Sequence, residues 1–240
     1  MPDASEREVQ RYYDDFSDSY ERGRGSGYHR MIDDLEFEVA AQFAEGARVL
    51  ELGCGTGLIL ERIAAIANEA VGIDLSERMA QRARERGLEV FLGSLSELPF
   101  ANEQFDLTYG FKVLPHVADI ETAIGEAVRV TRPGGHLLLE FYNPWSVRRL
   151  AKRLAGPAPI SERRTEADVY TRWDSPRAIR RLMPPDLVLL ELRGVRVLTP
   201  FAAIHGLPVL GPGLRWAERS AGSSPLRYFG GFIIAVLRKR

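Results

Sequence analysis

The sequence predicts an α/β fold: a seven-stranded, mostly parallel sheet with helices on both faces and the last strand antiparallel. Three observations carry that expectation. Strand-like and helix-like segments alternate from Ala47 to Phe141, the order that parallel βαβ units require. A glycine turn, Gly53-Cys54-Gly55-Thr56-Gly57, follows the first strand-like run. A carboxylate, Asp74, ends the second strand, 74 − 53 = 21 residues after the first glycine of that turn.

The elements follow in order. Val9, Tyr12, Tyr13, Phe16 and Tyr20 share a helical face, so residues 1–34 read as an amino-terminal helical lid over the sheet. Leu35, Val39 and Phe43 mark the helix that leads into strand one, Val49 to Leu52. Leu58 to Ala67 carries apolar residues at helical spacing. Val71 to Asp74 is the second strand. Ser76 caps a helix that runs through Arg86 and ends at Gly87. Leu88 to Leu92 and Phe105 to Gly110 are strands three and four. Ile120, Ile124, Ala127 and Val128 line the next helix, and Pro133-Gly134-Gly135 turns the chain into strand five, His136 to Tyr142. Residues 35–142 thus form a core, 143–186 a basic helical insert, and 187–240 two further strands, Leu187 to Leu198 and Phe232 to Leu237. Gly206, Pro208, Gly211, Pro212 and Gly213 predict a loop between those two.

Composition narrows the class. The 240 residues hold 32 Lys and Arg against 33 Asp and Glu, a net charge of −1, so no global charge favours nucleic acid. The single cysteine, Cys54, excludes an internal disulfide. The four histidines lack tight pairing, which argues against a metal site. No signal-like or membrane-length apolar run appears, and a cytoplasmic protein is expected. Charge is uneven, however. Residues 148–181 hold ten basic and four acidic side chains. A solvated helical face is the plain reading of that tract. The sharper one is a collar for an anionic ligand or a membrane surface, built on Arg148, Arg149, Lys152 and Arg153.

Glycines let the turn after strand one bend sharply and let a ligand approach without meeting a Cβ. Open α/β sheets bind ligands at this edge, and a carboxylate ending strand two can accept hydrogen bonds from both ribose hydroxyls. Any adenosine-containing cofactor fits that spacing. The glycine pattern separates them. A dinucleotide site reads G-x-G-x-x-G, whereas here the third glycine comes one residue early and Leu58 takes its place. Val49-Leu50-Glu51-Leu52-Gly53-Cys54-Gly55-Thr56-Gly57 resembles the first motif of the class I methyltransferases, and within them the small-molecule type 11 group. Gly72-Ile73-Asp74-Leu75-Ser76 resembles their second motif. Arg132-Pro133-Gly134-Gly135-His136-Leu137 resembles the turn before strand five, and Leu98-Pro99-Phe100 with Phe105-Asp106-Leu107 the approach to strand four.

The resemblance covers residues 35–142 and implies a Rossmann-like fold, S-adenosylmethionine as cofactor, and roles for matching positions. Glu51 begins the cofactor loop, Gly53 and Gly55 contact the methionyl part, Asp74 binds the ribose and Leu75 flanks the adenine. Cys54, Gly57, Met79 and Phe111 complete the expected set. The family's acidic residue at the end of strand three is absent. Ser94 stands there, with Leu95 offering a backbone amide to the adenine.

The implied activity is methyl transfer to oxygen, nitrogen or carbon of a small, partly apolar acceptor such as a quinone, a natural product or a lipid-like compound. The resemblance places acceptor contacts on the lid (Tyr20, Tyr28, His29), after strand four (Lys112, His116) and after strand five (Tyr142, Asn143, Trp145). Tyr20 and His116 are the catalytic candidates. His116 reads as a general base near neutral pH or, more simply, as a helix-start histidine bonded to backbone. Tyr12, Tyr13 and Phe16 read as core. Two rivals stand beside this reading: a nicotinamide-dependent oxidoreductase, and an accessory protein that binds the cofactor without turnover.

Overall fold

The computed structural model describes residues 4–18, 20, 21, 24, 27–146, 149, 169–199 and 210–240. Seven strands form one sheet: β1 (Arg48–Leu52), β2 (Glu69–Asp74), β3 (Glu89–Leu92), β4 (Phe105–Gly110), β5 (Thr131–Tyr142), β6 (Leu187–Val195) and β7 (Phe232–Lys239). Their order is β3-β2-β1-β4-β5-β7-β6. The first five pair in parallel, and β7 runs antiparallel between β5 and β6. The helices are α1 (Ala4–Phe16), α2 (Gly27–Ala44), α3 (Leu58–Ala64), α4 (Glu77–Glu85), α5 (Ile120–Val130), α6 (Pro176–Leu182) and α7 (Leu210–Ser223).

Alternating side chains of the buried strands divide the core. Leu50, Leu52, Leu137 and Leu139 face α5 and α6, where Ile120, Ile124, Ala127 and Ile179 meet them. Val49, Leu107, Tyr109 and Leu138 face the other way, onto Met31, Ile32 and Val39 of α2 and Ile59 and Ile63 of α3. Both faces of a parallel sheet must be covered, and here both are. Helix starts follow local chemistry: Ser76, Asp119 and Ser175 each accept an amide from the first turn of α4, α5 and α6.

Several expectations need correction, among them strand six, which ends at Val195 rather than Leu198. The helix after the glycine turn ends at Ala64 rather than Ala67, because the Asn68 amide bonds to the Ala47 carbonyl and draws the chain back toward the sheet. Strand five begins at Thr131: Phe105 pairs with Thr131 and Leu107 with His136, so the Pro-Gly-Gly turn is a bulge inside the strand, with Gly134 at φ +77°. Gly211, Pro212 and Gly213, expected as loop, lie in the first turn of α7. A helix's first amides have no internal partner, so proline costs little there. Gly206 and Pro208 lie outside the described residues. So do Arg148, Lys152 and Arg153 of the basic tract. Helix α2 also runs through the expected lid boundary at residue 34. Among the described residues no helix is long and apolar enough to cross a membrane.

Candidate active site

The glycine turn sits where β1 hands over to α3. Gly53, Gly55 and Gly57 all have positive φ, at +64°, +55° and +82°, a region that L side chains rarely adopt. Their reasons differ. A Cβ on Gly53 would lie 2.3 Å from Val113 Cγ2, and one on Gly57 would lie 2.4 Å from Leu88 Cδ1, so these two permit tight packing. The atoms nearest to a Cβ on Gly55 would be those of the Tyr20 ring, at 3.7–3.8 Å, ordinary contact distance. Of the three, Gly55 is the one that leaves room for a ligand beneath the lid. Cys54 does not face that room. Its thiol is buried against Gly72, and its amide bonds to the Ile73 carbonyl.

Asp74 closes the turn from the next strand. Its Oδ2 accepts the Gly55 amide at 2.7 Å and its Oδ1 the Ser76 amide at 2.9 Å. Burial pushes this carboxyl up, those two amides pull it down, and it settles at about 6. A carboxylate has roughly four acceptor positions, so these amides leave it able to accept from a diol such as a ribose edge. The cradle fits a nucleoside. Met79 is buried at the base of α4, Leu95 is buried past β3, and Leu75 is half-exposed beside them.

The lid docks through charge. Asp14 accepts from the Ser76 hydroxyl at 2.5 Å and from the Arg78 amide at 3.3 Å. Asp18 pairs with Arg82 at 2.7 Å, and Glu21 grips Arg86 through both oxygens at 2.7 and 2.8 Å. Ser94 donates its hydroxyl proton to Glu6 of α1 and accepts the Ser96 amide at 3.0 Å. Tyr20 lies under the Arg24 guanidinium, 4.1 Å from ring centroid to Cζ.

Behind the turn lies a buried charged cluster that the sequence reading missed. Lys112, at φ +59°, reaches Asp33 at 3.0 Å and Glu36 at 2.8 Å on α2, and its amide donates to Glu140 Oε2 at 2.7 Å. Arg24 also pairs with Asp33, at 3.3 Å. Burial pulls the Lys112 amine down, but Glu36 and Asp33 outweigh it and hold it firmly charged. Glu51 is buried with the Tyr109 hydroxyl on its Oε2 at 2.9 Å, and burial pushes it up to about 8. Burial and the neighbouring Glu36 push Glu140 well above the ordinary carboxyl range. Lys112, expected to touch the acceptor, is therefore engaged in this cluster.

The rim is aromatic. His116 contacts Tyr13 and Tyr142, with ring centroids 5.8 and 5.6 Å away, and Tyr142 continues onto Trp173 at 5.5 Å. Tyr13, expected as core, is packed between Tyr12 and His116. The His116 Nδ1 lies 2.8 Å from the Tyr170 carbonyl. A carbonyl can only accept, so Nδ1 carries the proton and Nε2 keeps its lone pair. Burial lowers the His116 pKa, which keeps the ring neutral.

The remaining expected contacts fall elsewhere. Asn143 is fully buried: its amide nitrogen donates to the Tyr228 and Gly230 carbonyls at 2.8 and 2.9 Å, and its oxygen accepts the Trp145 amide. It clamps the chain beside β7 and has no group left for a ligand. Trp145 is 58% exposed on the rim. Tyr28 packs under Arg196 at 4.5 Å, His29 is exposed beside it, and Phe111 stacks with Tyr109 in the core. Among the described residues, no group of three or more His, Cys, Asp or Glu could hold a metal ion.

This strand order, glycine turn and carboxylate form the Rossmann-like architecture of the class I methyltransferase fold. Residues 50–139 match the profile of the methyltransferase-domain family called type 11. It is similar to a ubiquinone biosynthesis O-methyltransferase of Rhizobium etli, 34% identical over 110 residues, covering 43% of this chain and 44% of the relative. The chain thus spans about half the length of the curated relatives it matches. A Thermotoga maritima structure described as a SAM-dependent methyltransferase, possible histamine N-methyltransferase, superposes with a TM-score of 0.72 at 22% identity, covering 96% of this chain and 99% of that one. A complex of DhpI with SAH gives 0.67 at 17% identity, covering 100% and 98%. At these identities the two structures speak for the fold.

Proposed function

We propose that this chain transfers a methyl group from S-adenosylmethionine to a small, partly apolar acceptor held between α1, the segment after β4 and the segment after β5. One observation carries the reading: the Asp74 carboxylate is pre-set by the Gly55 and Ser76 amides beside a turn where, of the three glycines, Gly55 is the least crowded. The cofactor supplies an already activated methyl group, so the protein's work is alignment, exclusion of water and, where the acceptor is protonated, removal of its proton.

Asp74 accepts from the sugar hydroxyls, and the Tyr20 ring closes over Gly55. His116, neutral and with Nε2 unprotonated, is the base that takes a proton from an acceptor hydroxyl. Tyr13, Tyr142 and Trp173 wall the space around it with aromatic faces. The relative named for ubiquinone biosynthesis supports a ring hydroxyl as the first acceptor to try.

The test is isothermal titration with S-adenosylmethionine and S-adenosylhomocysteine, followed by label transfer to catechols and hydroquinones. Micromolar-range binding is expected for both nucleosides. Folded protein that gives no heat with either one rejects the proposal. Binding without transfer to any acceptor leaves the accessory-protein reading in its place.

A further inference from the structure

We propose that the Arg172–Asp174 ion pair positions His116: it pins a short extended strap whose Tyr170 carbonyl decides which ring nitrogen carries the proton. This rests on the reading of His116 as the base.

The strap is residues 170–174, the chain just before α6. It lies outside every helix and strand, yet each second residue is tied to one of two loops beside the acceptor space. The Tyr170 carbonyl lies 2.8 Å from His116 Nδ1. The Arg172 amide donates to the Pro115 carbonyl at 2.8 Å, and the Asp174 amide donates to the Tyr142 carbonyl at 2.9 Å. Extended backbone repeats every two residues, so residues 170, 172 and 174 present one edge. The last β4–β5 pair is Gly110 with Leu139, and beyond it the strap bridges the turn after β4 and the end of β5.

The side-chain pair stiffens this segment. Arg172 grips both Asp174 oxygens, from Nε at 2.8 Å and from a terminal nitrogen at 2.9 Å. That bidentate geometry fixes orientation as well as distance. Asp174 is buried, and a buried carboxylate stripped of its partner is costly, so the pair stays closed. Between the two, the Trp173 ring packs on Tyr142 at 5.5 Å. Ser175 then caps α6, and Ile179 sinks that helix into the core. The far end of the strap is fixed, and the pair extends that rigidity back to Tyr170.

For His116 the consequence is specific. Its ring faces Tyr13 of α1, Tyr142 of β5 and the Thr171 hydroxyl at 3.5 Å. Among the described residues no charged side chain shifts its titration. Of the groups at Nδ1, the Tyr170 carbonyl can only accept, whereas the Thr171 hydroxyl accepts or donates. A carbonyl held at Nδ1 keeps the Nε2 lone pair for an acceptor's proton. A carbonyl that drifts away lets the proton settle on Nε2, and the basic nitrogen is lost. Arg172 and Asp174 thus act through His116, as positioning residues.

The experiment reads the tautomer directly, by two-bond proton–nitrogen spectra of the full chain with His116 assigned through His116→Gln. The wild type is expected to carry the proton on Nδ1. Asp174→Ala leaves Arg172 free to turn toward solvent. It should let the Nε2-protonated form appear and lower kcat on hydroquinones by about tenfold or more, with the S-adenosylhomocysteine dissociation constant within about twofold. Asp174→Asn keeps the shape and one acceptor and should fall between the two; it serves as the test should Asp174→Ala not fold. A wild-type tautomer in the variants that fold overturns the proposal, as does a wild type already protonated on Nε2. A changed tautomer with kcat untouched keeps the strap's role and rejects the underlying reading of His116 as the base instead.

Discussion

The Gly55 amide donates to Asp74 Oδ2 across 2.7 Å, so the carboxylate is oriented before any ligand arrives. On the proposed reading, replacing Asp74 with Ala removes the acceptors for the ribose and releases the Gly55 amide together. Loss of hydrogen bonds to a charged group predicts weaker nucleoside binding by about 1.5–3 kcal/mol. Calorimetric titration with S-adenosylhomocysteine checks this, and an unchanged dissociation constant contradicts the assignment.

The same carboxyl predicts a pH dependence. Asp74 stands at about 6 in the fold against an ordinary 3.8, because burial disfavours the charged form. A raised acid favours the fold while protonated and costs stability as pH climbs from about 4 through 6. Binding runs the other way, since two ribose donors need the ionised form. Affinity for S-adenosylhomocysteine should rise about tenfold between pH 5 and pH 7 and level off above. Asp74→Asn should flatten that limb; a wild-type profile that falls over this range refutes the argument.

Glu140 and Glu36 face each other in the buried cluster, and Oε1 of each finds no hydrogen-bond partner among the described residues. One proton shared between the carboxyls answers both, in keeping with the raised Glu140. Glutamine mimics a protonated glutamate, so Glu140→Gln should keep the melting temperature nearly unchanged. Glu140→Ala strands the Lys112 amide and Glu36, and should cost about 2–3 kcal/mol in denaturant unfolding. Equal loss from both substitutions would show that Glu140 is ionised.

His116 is held in one tautomer by the Tyr170 carbonyl at 2.8 Å. For an acceptor that must lose a proton, His116→Gln should lower kcat by about a hundredfold or more and leave cofactor affinity within about twofold. The wild-type rate should fall only below the ordinary histidine range, because burial lowers this pKa. A parallel loss of cofactor binding would mean that His116 shapes the pocket instead.

Arg86 ties Glu21, Glu61 and the Thr56 carbonyl together, the last two at 3.0 and 2.9 Å. Arg86→Ala should free the segment after α1 and speed cofactor release by about threefold to tenfold, with raised salt acting in the same direction. Stopped-flow release and hydrogen exchange over residues 4–24 report it. Protection equal to wild type in that segment argues that the lid is held by other means.

The alternation of strands and helices, the Ser76 cap and the tight turn at Gly53 and Gly57 were legible because each obeys a local rule: alternation, capping, or a glycine where a Cβ cannot go. The charged cluster was not, because its members come from α2, β1, β4 and β5 and meet only in three dimensions. Glu140 did leave a trace, a lone acid in the apolar run Leu137 to Tyr142. Asn143 erred the other way: its place after β5 suited a ligand, but neighbouring carbonyls claimed its amide.

The position of β7 has a consequence for how the molecule is made. Because it lies between β5 and β6, Thr131–Tyr142 emerges during synthesis with one flank paired and the other bare until Phe232–Lys239 has been translated. A chain stalled before that point exposes an apolar strand edge, the kind that sticks to its neighbours. Clipping the final strand should therefore produce aggregates rather than a weaker enzyme, while the half of the sheet around β1 gathers early from contacts close in sequence.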